Sequence, residues 1–98
     1  MSALVLKIVT PEGEMEPVPC DSVTVYARDN ERGEGGGSMG IRRGHIEAVA
    51  ALETNSQVRA YSEGKLIASF TVSGGFASIK NNTVTVITET VVRSGQGI

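Results

Sequence analysis

The chain has 98 residues, a formal net charge of −2 and 40% hydrophobic residues. That length suits one small domain and excludes a second domain with a core of its own. The charge balance gives no electrostatic case for nucleic acid or an anionic lipid surface, and two Phe, two Tyr and no Trp leave few platforms for base stacking.

Period-two alternation of apolar and polar residues dominates the chain. Residues 4–10, rich in β-branched side chains, predict the first strand, and Pro11 and Gly13 supply the turn after it. Residues 15–19 form a short proline-flanked stretch that suits an edge strand. Residues 21–26 alternate cleanly and predict another strand. Residues 27–37 mix glycine and charge without periodicity and predict a long loop. Structure resumes at 38–41, and Arg42-Arg43-Gly44-His45 reads as a turn.

Residues 46–53 are ambiguous. Ala, Leu and Glu favour helix, but about two turns are marginal and the neighbouring segments are strand-like, so strand is the reading. Residues 57–61 and 65–72 flank a Ser62-Glu63-Gly64 hairpin signal. Ser73-Gly74-Gly75 leads into a strand at 76–80, Asn81-Asn82 makes a tight turn, and 83–88 is the last clear strand. The domain is taken as 1–89, with 90–98 a frayed tail. Eight to ten short strands with turns every 8–10 residues predict an all-β, antiparallel sandwich.

The chemistry-bearing patterns resolve into bland ones. Gly35-Gly36-Gly37-Ser38-Met39-Gly40 fits G-x-G-x-x-G, but a dinucleotide fingerprint needs a tight turn straight from strand into helix. Here residues 27–34 intervene between the strand and Gly35, the first glycine of the pattern, and another turn follows. The sequence has no G-x-S-x-G, one His and one Cys, so neither hydrolase nor metal centre is expected. Cys20 reads as a small apolar residue in a reducing compartment. Glu12, Glu14 and Glu16 read as a solvated strand face. No apolar run approaches the ~20 residues of a membrane-spanning helix, and the N-terminus lacks the basic lead and long apolar core of a secretory signal. The one basic turn, Arg42, Arg43 and His45, reads either as a solvated turn or as a contact to a partner with exposed carbonyls or carboxylates.

Four stretches, in order and at compatible spacing, resemble the epsilon subunits of F-type ATP synthases. They are Lys7-Ile8-Val9-Thr10-Pro11-Glu12-Gly13, then Asp21-Ser22-Val23-Thr24-Val25, then Gly40-Ile41-Arg42-Arg43-Gly44-His45, and finally Val72-Ser73-Gly74-Gly75-Phe76 with the segment 81–89. The resemblance implies a ten-stranded β-sandwich and settles residues 46–52 as strand. It implies a non-catalytic rotor subunit at the cytoplasmic face of a bacterial plasma membrane, linking the gamma subunit to the c-ring. By position, Thr10, His45 and Ala50 should face gamma, and Ser38, Met39, Arg42 and Arg43 the c-ring. Gly40, Gly44, Gly74 and Gly75 should be structural. The family commonly has proline at the positions of Arg43 and Glu47, often an acid at that of Ser38, and a shorter loop in place of 27–37. These departures fit either drift in a tolerant loop or a matched, non-standard ring contact through Arg42 or Arg43. No helical segment follows the sandwich, so no cofactor and no ATP binding are expected. A free-standing sandwich that binds a peptide or carbohydrate is the competing expectation.

Overall fold

The computed structural model describes residues 4–28 and 37–93, which hold eleven strands. In chain order these are β1 (Leu4–Thr10), β2 (Gly13–Glu14), β3 (Val18–Cys20), β4 (Ser22–Ala27), β5 (Gly37–Arg42), β6 (Ala48–Leu52), β7 (Ser56–Ser62), β8 (Lys65–Val72), β9 (Gly75–Lys80), β10 (Thr83–Ile87) and β11 (Val91–Arg93). The hydrogen-bonded path runs β11-β8-β7-β4-β6-β9-β10-β1-β2, with β3 also on β1 and β5 also on β4. It folds over at β4 and β6, where only Ala27 and Leu52 pair. One layer is therefore β5-β4-β7-β8-β11. The other is β6-β9-β10-β1, edged by β2 and β3.

The alternation seen in sequence becomes the two faces of each strand. Leu4, Leu6 and Ile8 of β1 point inward with Val84 and Val86 of β10 and Ala77 and Ile79 of β9. They meet Val23 and Val25 of β4, Ile41 of β5, Val58 and Ala60 of β7, and Phe70 and Val72 of β8. The expected β-sandwich is what the chain forms, with one refinement: β1 pairs β10 in parallel, Leu6 opposite Val84 and Ile8 opposite Val86. A parallel pair cannot be closed by a hairpin, and here most of the chain serves as its crossover.

The sheet also reaches further than the sequence suggested. Val91–Arg93 fall where a frayed tail was expected, yet they pair with β8 as β11, Val91 opposite Val72. The Arg93 guanidinium lies 5.5 Å from the centroid of the Phe70 ring. Residues 94–98 lie outside the described residues, as do 29–36 of the expected loop; Ala27 and Gly37 at its two ends pair with each other.

Residues 46–53 resolve in favour of strand. Ala48–Leu52 form β6 on β9, so pairing overrides helix propensity, while Ile46 and Glu47 precede the strand in the open. Two hairpins use left-handed residues: Glu63 and Gly64 at φ 53° and 77°, and Asn81 and Asn82 at 52° and 57°. Asp21 braces the first by accepting the Glu63 N–H at 2.8 Å. Cys20 is buried, and that burial, aided by the nearby Asp21 carboxylate, pushes its thiol up despite a hydrogen bond with the Leu6 backbone. It stays protonated at neutral pH and packs as an apolar group.

Candidate functional site

Strand direction places the residues singled out from sequence at two ends of the sandwich. β1, β6 and β10 run the same way, so Thr10, Leu52 and Ile87 share one end with Gly75. Ser38 and Met39 lie toward that end too, because Gly37 pairs with Ala27 beside Leu52. Arg42 lies opposite Ser22 at the other end, where Arg43, Gly44 and His45 turn toward β6. The ends are separated by about 20 Å, the rise of a six-step strand. Thr10 and His45 are thus brought to one layer but not to one spot. Ser38 and Arg42 are likewise held four residues apart on β5.

Side-chain direction refines these placements. Ala50 sits opposite Ala77, which is fully buried, so it points into the sandwich. Its neighbours Val49 and Ala51 point out. Met39 packs against the core, while Ser38 and Arg42 are exposed on β5. Gly40 is exposed mid-strand with open space around it and needs no unusual backbone. Gly44, at φ 83°, does.

The basic turn is tied down from a distance. Gly44 N–H donates to Asn82 Oδ1 at 2.8 Å, across 38 residues of sequence, and His45 N–H donates to Arg42 O. His45 Nδ1 lies 2.8 Å from Ile46 O. A carbonyl only accepts, so Nδ1 carries the proton in this contact. Asn82 therefore both turns the β9–β10 hairpin and positions the Arg42–His45 turn. Asn82→Ala is expected to cost about 2 kcal/mol, roughly half from a left-handed alanine and half from the lost hydrogen bond. Asn82→Gly keeps the backbone geometry and should cost about 1 kcal/mol; urea unfolding of both variants separates the two contributions.

The largest feature was not singled out from sequence. On the outer face of the second layer the register aligns Ala51, Phe76, Ile87 and Val9 in a row across β6, β9, β10 and β1. Val49 stands beside it. Val49 is 70% exposed, Phe76 54% and Ile87 51%. A solvent-facing antiparallel sheet normally carries polar residues there. An apolar row of this kind marks a surface that a partner covers. The signal in sequence was small: Ile87 extends Thr-Val-Thr-Val where the alternation called for a polar residue.

Among the described residues no three His, Cys, Asp or Glu side chains gather to hold a metal. The part of the glycine-rich pattern that is described, Gly37 to Gly40, lies in strand β5 rather than in a turn into a helix. The arrangement is suited to gripping a partner: a rigid sheet, an apolar outer row and a braced basic turn.

Comparison with known proteins agrees. Residues 3–94 match the family model of the ATP synthase delta/epsilon chain, beta-sandwich domain. The chain is 32% identical over 84 residues to the ATP synthase epsilon chain of Synechococcus sp., covering 86% of this chain and 55% of that one. It is 37% identical over 90 residues to the ATP synthase epsilon chain of Staphylococcus haemolyticus, covering 92% and 62%. A chain in the cryo-EM structure of the Euglena gracilis mitochondrial ATP synthase (OSCP/F1/c-ring, rotational state 1) matches with a TM-score of 0.71 and 26% identity, over 92% of this chain and 52% of that one. The chain thus spans 55% and 62% of the length of these two curated relatives. Fold, motif order and family match converge: this chain belongs to the ATP synthase delta/epsilon chain family and forms its beta-sandwich domain.

Proposed function

We propose that this chain is a non-catalytic central-stalk subunit of an F-type ATP synthase, fastening the gamma subunit to the c-ring so that the three turn together. It would act at the cytoplasmic face of a bacterial plasma membrane, without inserting into it and without binding ATP. The observation that carries the reading is the exposed apolar row of Ala51, Phe76, Ile87 and Val9, on a domain whose family is ATP synthase delta/epsilon. A free-standing peptide- or sugar-binding module gains no support from that family.

The mechanical role follows from the architecture. Two sheets packed on one close-packed core deform little under load. Gamma would cover the outer face of the β6-β9-β10-β1 layer, with Thr10 at one end of it and His45 at the other. Val49 and Ala51 would carry the β6 contact in place of the inward Ala50. A stable attachment of this kind buries on the order of 1,600 Å². The test is co-expression with the cognate gamma subunit: the two should co-elute through size exclusion, and separate elution removes the reading.

On the ring side, the exposed Arg42 and Arg43 would supply a charged contact of their own, at the opposite end of β5 from Ser38, where the family often has an acid. Their forks suit carbonyls and carboxylates on the ring's loops. Reversing both to Glu is expected to weaken ring attachment about 10-fold at low salt, less at high salt, and to leave the fold intact. Unchanged retention of the c-ring by the variant stalk would remove this contact.

A further inference from the structure

At the Thr10 end, the apolar row runs into a groove of about 490 Å³. Val9, Pro11, Phe76 and Ile87 wall it, and Gly74 and Gly75 leave bare backbone along one side. Gly75 admits no side chain there, because a Cβ would lie 2.0 Å from Ile87 O. The Ser73 and Thr88 hydroxyls of the groove are occupied by each other and by the Thr90 backbone. Thr90 N–H donates to Ser73 Oγ at 3.2 Å, Thr88 Oγ1 donates to Thr90 O at 3.2 Å, and Ser73 Oγ lies 3.3 Å from Thr88 Oγ1. With the Thr88 proton committed to Thr90, the Ser73 proton goes to Thr88, and both of these hydroxyl donors are used. Such a groove asks an occupant for apolar surface.

Its mouth asks for something else. Thr10, Pro11 and Glu89 also line an adjoining recess that adds Glu12. Among the described residues the one ion pair is Lys7 with Glu14, and neither Glu12 nor Glu89 has a cationic partner among them. An apolar hole beside two carboxylates is complementary to a bulky apolar side chain flanked by a cation. Buried anchors of that kind dominate interface energetics, and a charge at the rim steers approach and register.

We propose that this groove seats a segment of the gamma subunit that presents a large aliphatic or aromatic side chain next to a lysine or arginine. The inference rests on the reading of the outer face as the gamma attachment, since Phe76 and Ile87 belong to both row and groove. It goes further by fixing the chemistry of the docked segment and giving Glu12 and Glu89 a part in it.

Calorimetric titration of the chain with cognate gamma subunit tests it. Thr10→Trp closes the mouth and is expected to weaken binding about 30-fold while leaving the melting temperature near that of the wild type. The exposed pair Glu12→Lys and Glu89→Lys together should weaken it about 10-fold at low salt, and the deficit should shrink as salt screens the charges. A folded Thr10→Trp variant that binds as the wild type does would overturn the proposal, as would a charge-reversed pair with unaltered low-salt affinity. If Thr10→Trp fails to fold, the charge-reversed pair decides alone. Val49→Asp, on the outer face and off the groove, keeps the two readings apart. If it weakens binding while the groove variants do not, the attachment face stands and the groove falls. If the wild-type chain does not bind gamma, both fall.

Discussion

Gly75→Ala is expected to lower the melting temperature by about 20 °C or more, and urea unfolding should show a loss of about 4 kcal/mol. Two independent causes add. The residue sits at φ 107°, a region that costs a residue with a Cβ about 1–3 kcal/mol. The new Cβ would also lie 2.0 Å from Ile87 O and 3.1 Å from Thr88 Cα, both backbone atoms of the neighbouring β10 end. A side chain could swing aside, but this carbonyl cannot, because Ile87 is held in register between Phe76 on β9 and Val9 on β1. A domain this size has roughly 5–15 kcal/mol of stability in all, and each kcal/mol moves its melting point by about 4–8 °C. Gly74→Ala is the internal comparison. At φ 139° it carries the backbone strain, yet its nearest Cβ neighbours are 3.9 Å away, so the cost should stay near 1–3 kcal/mol. Equal losses for the two variants would show that the contact with Ile87 O is relieved by local movement.

How far the sequence went depended on whether a feature is local. The inward set Leu4, Leu6, Ile8 and the set Val84, Val86 alternate within single segments, so the core faces were legible. The hairpin at Asn81 and Asn82 was legible because asparagine tolerates the left-handed region in its own right. Strand partners were not. Nothing within 4–10 or 83–88 states that these segments pair in parallel, a property of two segments far apart in the chain. β11 was missed for the same reason: Val-Val-Arg is too short to predict a strand until the open edge of β8 supplies its partner. The brace from Asn82 to Gly44 spans 38 residues and depends on folding. Ala50 was placed by resemblance alone, and the register with Ala77 turns it inward, one residue from Val49 and Ala51 that do point out. The row of Ala51, Phe76, Ile87 and Val9 is assembled from four strands, each contributing one residue, and of these Ile87 breaks its segment's alternation.

The second large effect is expected on that row. On the proposed attachment to gamma, the double variant Phe76→Asp with Ile87→Asp should lose more than about 1,000-fold in affinity for that subunit while remaining folded. Burying one large apolar side chain contributes about 1.5–3 kcal/mol, so losing two contacts accounts for much of that factor. Each aspartate would add the cost of bringing a carboxylate against an apolar partner face without a counter-charge. The two positions are direct cross-strand neighbours, so two like charges there should also cost the free domain something, on the order of 1 kcal/mol. That cost is small because both side chains are about half exposed and neither belongs to the core. Phe76→Leu keeps an apolar surface and should lose only about 10-fold, which separates the need for apolar contact from the need for an aromatic ring. Far-UV circular dichroism melts establish that each variant is folded, and co-elution with gamma reads attachment. Co-elution of the double aspartate variant at the wild-type level would mean that gamma grips the sandwich elsewhere, and the exposed row would then need another partner.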